Sequence, residues 1–317
     1  MQRVWTFKNA VPRVLPIRNI YKKAQDDAYR LATVVVEEYS EKKRKELEQA
    51  LASSAGKETA RISMLRVLSE INLPSVRSKF YDGEYDFSRP AFLHLLKQKW
   101  ESHDKLLLLQ RLEQMKVIKD LGLGSFNPIV DVRLSFSKDE STNVVPGSIL
   151  PTEQTCSEPL LQILPFSTEE HNYTIATLDL DVPNYETNQF QTSCLWLASN
   201  IPVKATDRLA IRPSNCLIPY TPPTMHKGED KHRIVTLVMQ QRDPSVELDL
   251  SKIQKENVNI RDICTQYSLQ PVGSHLFRSQ YDDCTEKLLS EHPNVENYTP
   301  FELDQGPYYI LPSTCCI

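Results

Sequence analysis

The sequence predicts an α+β fold in which a helical N-terminal extension precedes an antiparallel β-sandwich. Three observations carry that expectation. Of 21 prolines, only Pro12, Pro16, Pro74 and Pro90 lie in residues 1–120. Proline removes a helix hydrogen bond and clashes with the preceding turn, so the proline-free stretches 17–73 and 91–127 are open to helix. Within them apolar residues recur at three- and four-residue steps, and from residue 128 the period is two. The pattern divides the chain into a basic arm (1–23), a helical extension (24–127), a β-sandwich (128–290) and an extended C-terminal tail (291–317).

The helices follow from that periodicity. Ala28, Leu31, Ala32, Val35 and Tyr39 make one apolar face, which the charged run Glu41–Glu48 continues and Gly56 ends. Ile62, Leu65, Leu68 and Ile71 predict a second helix that stops before Pro74. A third is predicted after Ser88-Arg89-Pro90, with Ser88 as cap and Pro90 in the first turn. Its stripe runs Phe92, Leu95, Leu96, Trp100, Leu107, Leu112, Met115, Ile118.

Strand signals replace helix signals from residue 128. Val130, Val132, Leu134 and Phe136 alternate with Asp131, Arg133 and Ser135, the pattern of a half-buried strand. Further strands are predicted at 160–166, 173–182, 194–201 and 234–240, separated by turns at Pro183, Pro202 and Pro222-Pro223. A short helix (259–267), a strand (271–277) and a helix (281–290) follow.

Composition excludes several functions. No apolar run approaches the roughly 18 residues of a membrane span. With 8 glycines and neither GxGxxG nor GxxxxGK[ST], the chain has no phosphate-cradling loop of those kinds. Seven cysteines, an odd count with no CxxC pair, predict neither a disulfide framework nor a zinc cluster, and suggest an intracellular chain with reduced thiols. No metal and no cofactor are expected.

The net charge of −4 conceals an asymmetry. Residues 1–120 hold 23 Lys and Arg against 16 Asp and Glu, a net of +7, and residues 121–317 hold 14 against 25, a net of −11. A basic half predicts polyanion contact on one side, and a solvated helical surface has the same composition. The first 25 residues carry Arg3, Lys8, Arg13, Arg18, Lys22 and Lys23, with no acid before Asp26. That is the composition of an organelle transit peptide, although serine is missing, and equally of a basic arm that reaches into RNA. With Lys42, Lys43, Arg44 and Lys45, these residues are the candidate RNA contacts.

Two segments carry chemistry. Asp179-Leu180-Asp181-Val182-Pro183 ends a predicted strand, and Tyr220-Thr221-Pro222-Pro223 precedes Gly228-Glu-Asp-Lys-His232-Arg233 and another strand. Paired carboxylates, a turn-fixing proline and a histidine could line a small polar pocket. Their order and spacing resemble the phosphatidylethanolamine-binding protein family, whose signatures are DPDxP and GxHR preceded by a Pro-Pro loop. Tyr267-Ser-Leu269, Pro271-Val-Gly273 and Phe277-Arg-Ser-Gln-Tyr281-Asp282 are similar to that family's last strand and helix, so the resemblance spans about residues 128–290. It implies a β-sandwich of that type, with a pocket for a phosphate-like anion.

This chain departs from the family's pattern inside the pocket. Asp179, Asp181, Pro183, Pro222, Pro223 and His232 match, but Leu195 takes the place of a second histidine and Ile234 that of an aromatic. Leu180 and Thr221 also depart from it. A pocket that loses these groups loses donors an anion needs. The residual site would pair Asp179 and Asp181 with one histidine. The alternative without a ligand is that Asp181 caps a turn and His232 is its buried hydrogen-bond partner.

Phe92-Leu-His-Leu-Leu, Lys99-Trp100-Glu101-Ser102 and Leu107-Leu-Leu-Gln110-Arg111-Leu112-Glu113 resemble one branch of that family, the phosphatidylethanolamine-binding-like subunit of the mitochondrial large ribosomal subunit in its fungal form. That resemblance implies a non-catalytic structural protein of the mitochondrial matrix, at the ribosome's central protuberance. Its partners would be mitochondrial ribosomal proteins and large-subunit rRNA, with no homo-oligomer. A pI near 6 favours mainly protein contacts with a limited RNA footprint. Two other functions compete with this one. A free module binding an anionic ligand, or inhibiting a protease or kinase, needs an open charged pocket around Asp179 and His232. A hydrolase needs Ser193 or Cys194 near His232, and no GxSxG or comparable signature accompanies them.

Overall fold

The structure, a computed structural model, describes residues 17–54, 57–137, 143–184, 187–206, 216–243 and 246–291, without the side chains of 17–24 and 288–291. The chain forms two compact units, Met1–Gln98 and Lys99–Ile317. In the first unit a long helix, α1 (Ile17–Ser53), is followed by α2 (Ala60–Leu68), α3 (Pro74–Tyr81) and the start of α4 (Pro90–Ser102). Thr59 caps α2 by accepting a hydrogen bond from the Ile62 amide (3.3 Å). Val67, Ile71, Val76, Ala91, Phe92 and Leu95 form the core of this unit. The Ser40 hydroxyl donates to the Ser69 carbonyl and ties α1 to the end of α2.

The predicted third helix is three helices: α4, α5 (Asp104–Gln114) and α6 (Val117–Asp120). His103 (φ −140°, ψ −68°) leaves the helical region between the first two, and Lys116 (φ 56°) is left-handed between the last two. The breaks divide the single predicted stripe. Phe92 and Leu95 fill the first unit's core, whereas Leu108 and Leu112 are buried in the second and Leu107 is exposed. The Ser88 hydroxyl donates to Asp86 (2.6 Å), and the Arg89 carbonyl accepts the first helical amides of α4.

The second unit is the sandwich. Strands β1 (Val130–Ser135) and β3 (Leu160–Pro165) form a two-stranded antiparallel sheet. The larger sheet contains β2 (Ile149–Leu150), β4 (His171–Asn184), β5 (Gln189–Val203), β6 (Cys216–Ile218), β7 (His232–Gln241) and β8 (Leu269–Ser279), in the order β2-β8-β7-β4-β5-β6. All its pairs are antiparallel except β2 with β8. Short helices α7 (Thr152–Thr155), α8 (Ile260–Gln266) and α9 (Asp283–Glu291) complete the unit. The sequence pattern missed β2, β6, α3 and α7, all of them short.

Both faces of the larger sheet are covered. On one, Val130, Val132, Leu134, Leu161 and Ile163 of the small sheet pack on Tyr173, Ile175, Trp196, Val238 and Phe277. On the other, Leu108, Leu112, Val117 and Leu121 from α5 and α6 pack on Ala176, Leu178, Val235 and Leu237. This packing explains why the compact units divide inside α4, while the change of period falls near residue 128. Trp100, just past the division, is buried with its ring 5.1 Å from that of Phe166 at the end of β3.

Candidate functional site

β4 and β7 lie side by side, with Asp179 opposite Ile234. Side chains alternate across a sheet, so His232 and Ile234 share one face of β7 and Arg233 and Val235 the other. On each face a basic residue of β7 meets carboxylates.

On the first face the Asp179 carboxylate meets His232 Nδ1 (2.9 Å), with both residues almost fully buried. The same carboxylate accepts the Asp181 amide (3.0 Å). On the other side of the ring, Glu229 Oε2 lies 3.5 Å from His232 Nε2 and accepts the His226 amide (2.6 Å). Burial pulls the His232 pKa down, but the bonds to Asp179 and Glu229 outweigh it and hold the imidazole up at about 9. At neutral pH the ring is therefore a cation with both N–H groups aimed at carboxylates.

On the second face Arg233 clasps Asp181. Its Nε and Nη2 donate to the two carboxylate oxygens (2.8 and 2.6 Å), and its backbone amide donates to the same group (2.8 Å). The remaining guanidinium nitrogen reaches Asp120 (2.7 Å) and the Met115 carbonyl, which pins α6 to the sheet. The expected pairing of Asp181 with His232 is thus corrected: His232 takes Asp179, and Asp181 takes Arg233. The reason is local. The β4–β5 register is irregular between Asp179 and Val182, so the two carboxylates do not keep the regular alternation.

A cleft of about 690 Å³ opens beside these pairs, bordered by Lys116, Lys119, Asp181, Pro183, Phe190 and His232 among others. The other predicted pocket residues are elsewhere. Asp179 lies buried beneath it. Leu195 and Ile234 belong to the sandwich core, with Leu195 at the β-bulge where Thr177 pairs with Trp196 and Leu178 with Cys194. Pro222 is half-buried and Pro223 buried, in a loop held to β5 by the Thr221 amide on the Leu195 carbonyl (2.8 Å). Met225 just beyond is fully buried.

The family model for phosphatidylethanolamine-binding protein matches residues 140–270. Among solved structures, the carboxypeptidase Y inhibitor complexed with its cognate proteinase is 20% identical, covering 55% of this chain and 94% of that one at a TM-score of 0.43. A phosphatidylethanolamine-binding protein from Plasmodium vivax is also 20% identical, covering 55% and 97% at 0.44. The large ribosomal subunit protein mL38 of Schizosaccharomyces pombe (strain 972 / ATCC 24843) is 47% identical over 307 residues, 97% of this chain and 100% of its own. The chain belongs to the mL38 family. Its fold is α+β, of phosphatidylethanolamine-binding type with a helical N-terminal region.

In this mL38-family chain the three residues of the hydrolase alternative are engaged elsewhere. His232 is held protonated and committed at both nitrogens. The Cys194 thiol is buried, which pushes its pKa up to about 11, and it donates to the Trp196 carbonyl (3.4 Å). The Ser193 hydroxyl donates to the Lys255 carbonyl (3.4 Å). Neither nucleophile of the hydrolase alternative is directed at His232. Among the described residues no group of three or more His, Cys, Asp or Glu could hold a metal ion, and no helix is long and apolar enough to cross a membrane.

Of the candidate RNA contacts, Arg3, Lys8 and Arg13 lie outside the described residues, as do the side chains of Arg18, Lys22 and Lys23. Lys43 pairs with Glu46 (2.7 Å), Arg44 with Glu41 (3.0 Å), and Lys45 lies 3.9 Å from Glu41. These are neighbours one helical turn apart, weak and exchangeable at a surface. The sequence reading assigned no role to Glu229, Arg233 or Asp120. Glu229 could have been noticed three residues before His232, but Asp120 is 113 residues from Arg233 and only the fold joins them.

Proposed function

We propose that this protein is a non-catalytic structural constituent of the mitochondrial large ribosomal subunit, working in the mitochondrial matrix. The observation that carries this reading is the 47% identity to mL38 across 97% of the chain, helical region included. A relative matching only the sandwich would leave the helices unexplained. The protein's place is the central protuberance, where Lys42, Arg44 and Lys45 on the exposed side of α1, the half-buried Lys43 beside them, and the basic arm touch rRNA phosphates. The acidic half faces other ribosomal proteins.

The site supports a structural role in its own right. Carboxylates of the same chain occupy the buried His232 imidazolium, and Asp181 and Asp120 neutralise the Arg233 guanidinium between β7 and α6. Asp179, Asp181, Pro183 and His232 then act as a packed strand-end rather than as a ligand pocket, while Leu195 and Ile234 fill the sandwich core and Pro222 and Pro223 pack in their loop.

Sedimentation tests the reading. The tagged protein in a mitochondrial lysate is expected to comigrate with the large subunit on a sucrose gradient, and to stay with it when EDTA separates the subunits. Recovery only at the top of the gradient would overturn it, and would favour a free module binding an anionic ligand at the cleft beside His232.

A further inference from the structure

The N-terminal part of α1 carries an apolar face that the described structure leaves uncovered. Tyr29 (64%), Leu31 (70%), Val34 (51%) and Val35 (65%) are exposed, and no residue from 25 to 39 is buried. The contrast with the rest of the helix is sharp. From Ser40 on, Lys43, Leu47, Ala50 and Leu51 are buried or half-buried at three- and four-residue steps, the helix's side toward α2. Single exposed apolar residues need no explanation, but a continuous strip does. Ala28, Leu31, Ala32, Val35 and Tyr39 form such a strip over three turns. Its two alanines leave hollows between larger side chains, the relief into which another helix's ridges fit.

Charge selects the occupant. Residues 25–39 hold Asp26, Asp27, Glu37 and Glu38 against Arg30 alone, a net of −3. Asp27 lies one turn before Leu31 and Glu38 one turn after Val34, so acids line one edge of the strip. Phosphates would be repelled, which excludes RNA and an anionic lipid surface as occupants. A second copy would set like charges against each other across a two-fold axis. The chain's own residues 292–317 carry Glu296, Glu302 and Asp304 and no Lys or Arg. Its residues 1–16 are basic, but Pro12 and Pro16 oppose the helix this face accepts.

We propose that residues 25–39 of α1 dock a basic amphipathic helix of another ribosomal protein, an inference that rests on the ribosomal reading and names a partner class for it. The helix then has two functional stretches: an acidic-edged apolar one for protein, followed by the basic run 42–45 for RNA.

A benzophenone side chain placed at Val35 of the full-length protein, expressed in cells and irradiated in purified large subunits, tests this. The expected crosslink is to a ribosomal-protein peptide of net positive charge with apolar residues at three- and four-residue steps. Crosslinks to rRNA, to residues 1–16 of the same chain, to a second copy or to an acidic peptide would overturn the proposal, as would none at all. In parallel, Leu31→Asp with Val35→Asp is expected to cut comigration with the large subunit about tenfold, equivalent to about 1.4 kcal/mol. Because both side chains face solvent in the free chain, far-UV circular dichroism should not change. Undiminished comigration of the double variant would also overturn the proposal. If the unmodified protein does not comigrate, the ribosomal reading falls and takes this inference with it. If it comigrates and the crosslinks go elsewhere, only this inference falls.

Discussion

At the scale of single residues, His232 is the group on which most depends. Its charge is stable in the interior only because Asp179 and Glu229 flank it. Asp179→Ala would leave that charge without its nearest partner, and removing one member of a buried pair costs about 3–5 kcal/mol. Urea titration at pH 6.5 should show a loss in that range; a loss below about 1 kcal/mol would mean that Glu229 alone suffices. The pH dependence follows from two histidines with opposite shifts. The folded pKa of His232, about 9, lies above its ordinary 6.5. Its contribution, up to about 3 kcal/mol at 1.36 kcal/mol per unit, is therefore complete below pH 6.5 and is lost as pH rises toward 9. His275 is buried, which lowers its pKa to about 4, against a weaker opposing bond to the Val144 carbonyl. The unfolded chain takes up that proton first as pH falls from 6.5 toward 4, so stability falls there too. The expected profile peaks near pH 6.5, and a His232→Gln variant should flatten only its alkaline side. An unchanged alkaline side would place the titration elsewhere.

At the scale of elements, the two sheets meet tightly at Gly273 on β8. A Cβ there would come within 2.6 Å of Cγ2 of both Val130 and Val132 on β1. Those atoms belong to β-branched side chains in a packed core, and such side chains have few other rotamers. Gly273→Ala is expected to destabilise by about 1–3 kcal/mol through overpacking, read as a lower midpoint in thermal or urea unfolding. A neutral result would show that β1 can move off the larger sheet. The glycine is needed for lack of a side chain, since its φ is not in the left-handed region. A different constraint acts at Arg233, whose hydrogen bonds join β7, β4 and the end of α6.

At the scale of the molecule, the helices that complete the sandwich come from the part of the chain that reads as extension. Leu108, Leu112, Val117 and Leu121 pack on one face of the larger sheet, alongside Phe126, Leu250 and Ile260. A fragment starting at residue 99 should therefore unfold cooperatively. One starting at residue 128 uncovers Ala176, Leu178, Val235 and Leu237 and is expected to bind a hydrophobic dye and lose its sharp transition. Equal cooperativity in the two fragments would show that α5 and α6 are dispensable. Residues 1–98 contain a smaller apolar core, centred on Phe92.

The sequence by itself determined the fold class, the place where helix gives way to strand, and the chemistry of the strand-end motifs. Those properties are local: proline placement, apolar period and short motifs act through neighbours in the chain. The resemblance of its motifs implies that Leu195 and Ile234 replace a histidine and an aromatic, and the structure places both in the sandwich core. Only the tertiary structure decided how the charges pair. Asp179 and Asp181 are two residues apart, yet the irregular register of β4 sends one to His232 and the other to Arg233. Only the tertiary structure, likewise, assigned the apolar stripe of residues 92–118 to two separate cores. The breaks at His103 and Lys116 carry no proline or glycine to mark them in sequence; they form because burying Leu108 and Leu112 on the sheet outweighs continuing one helix.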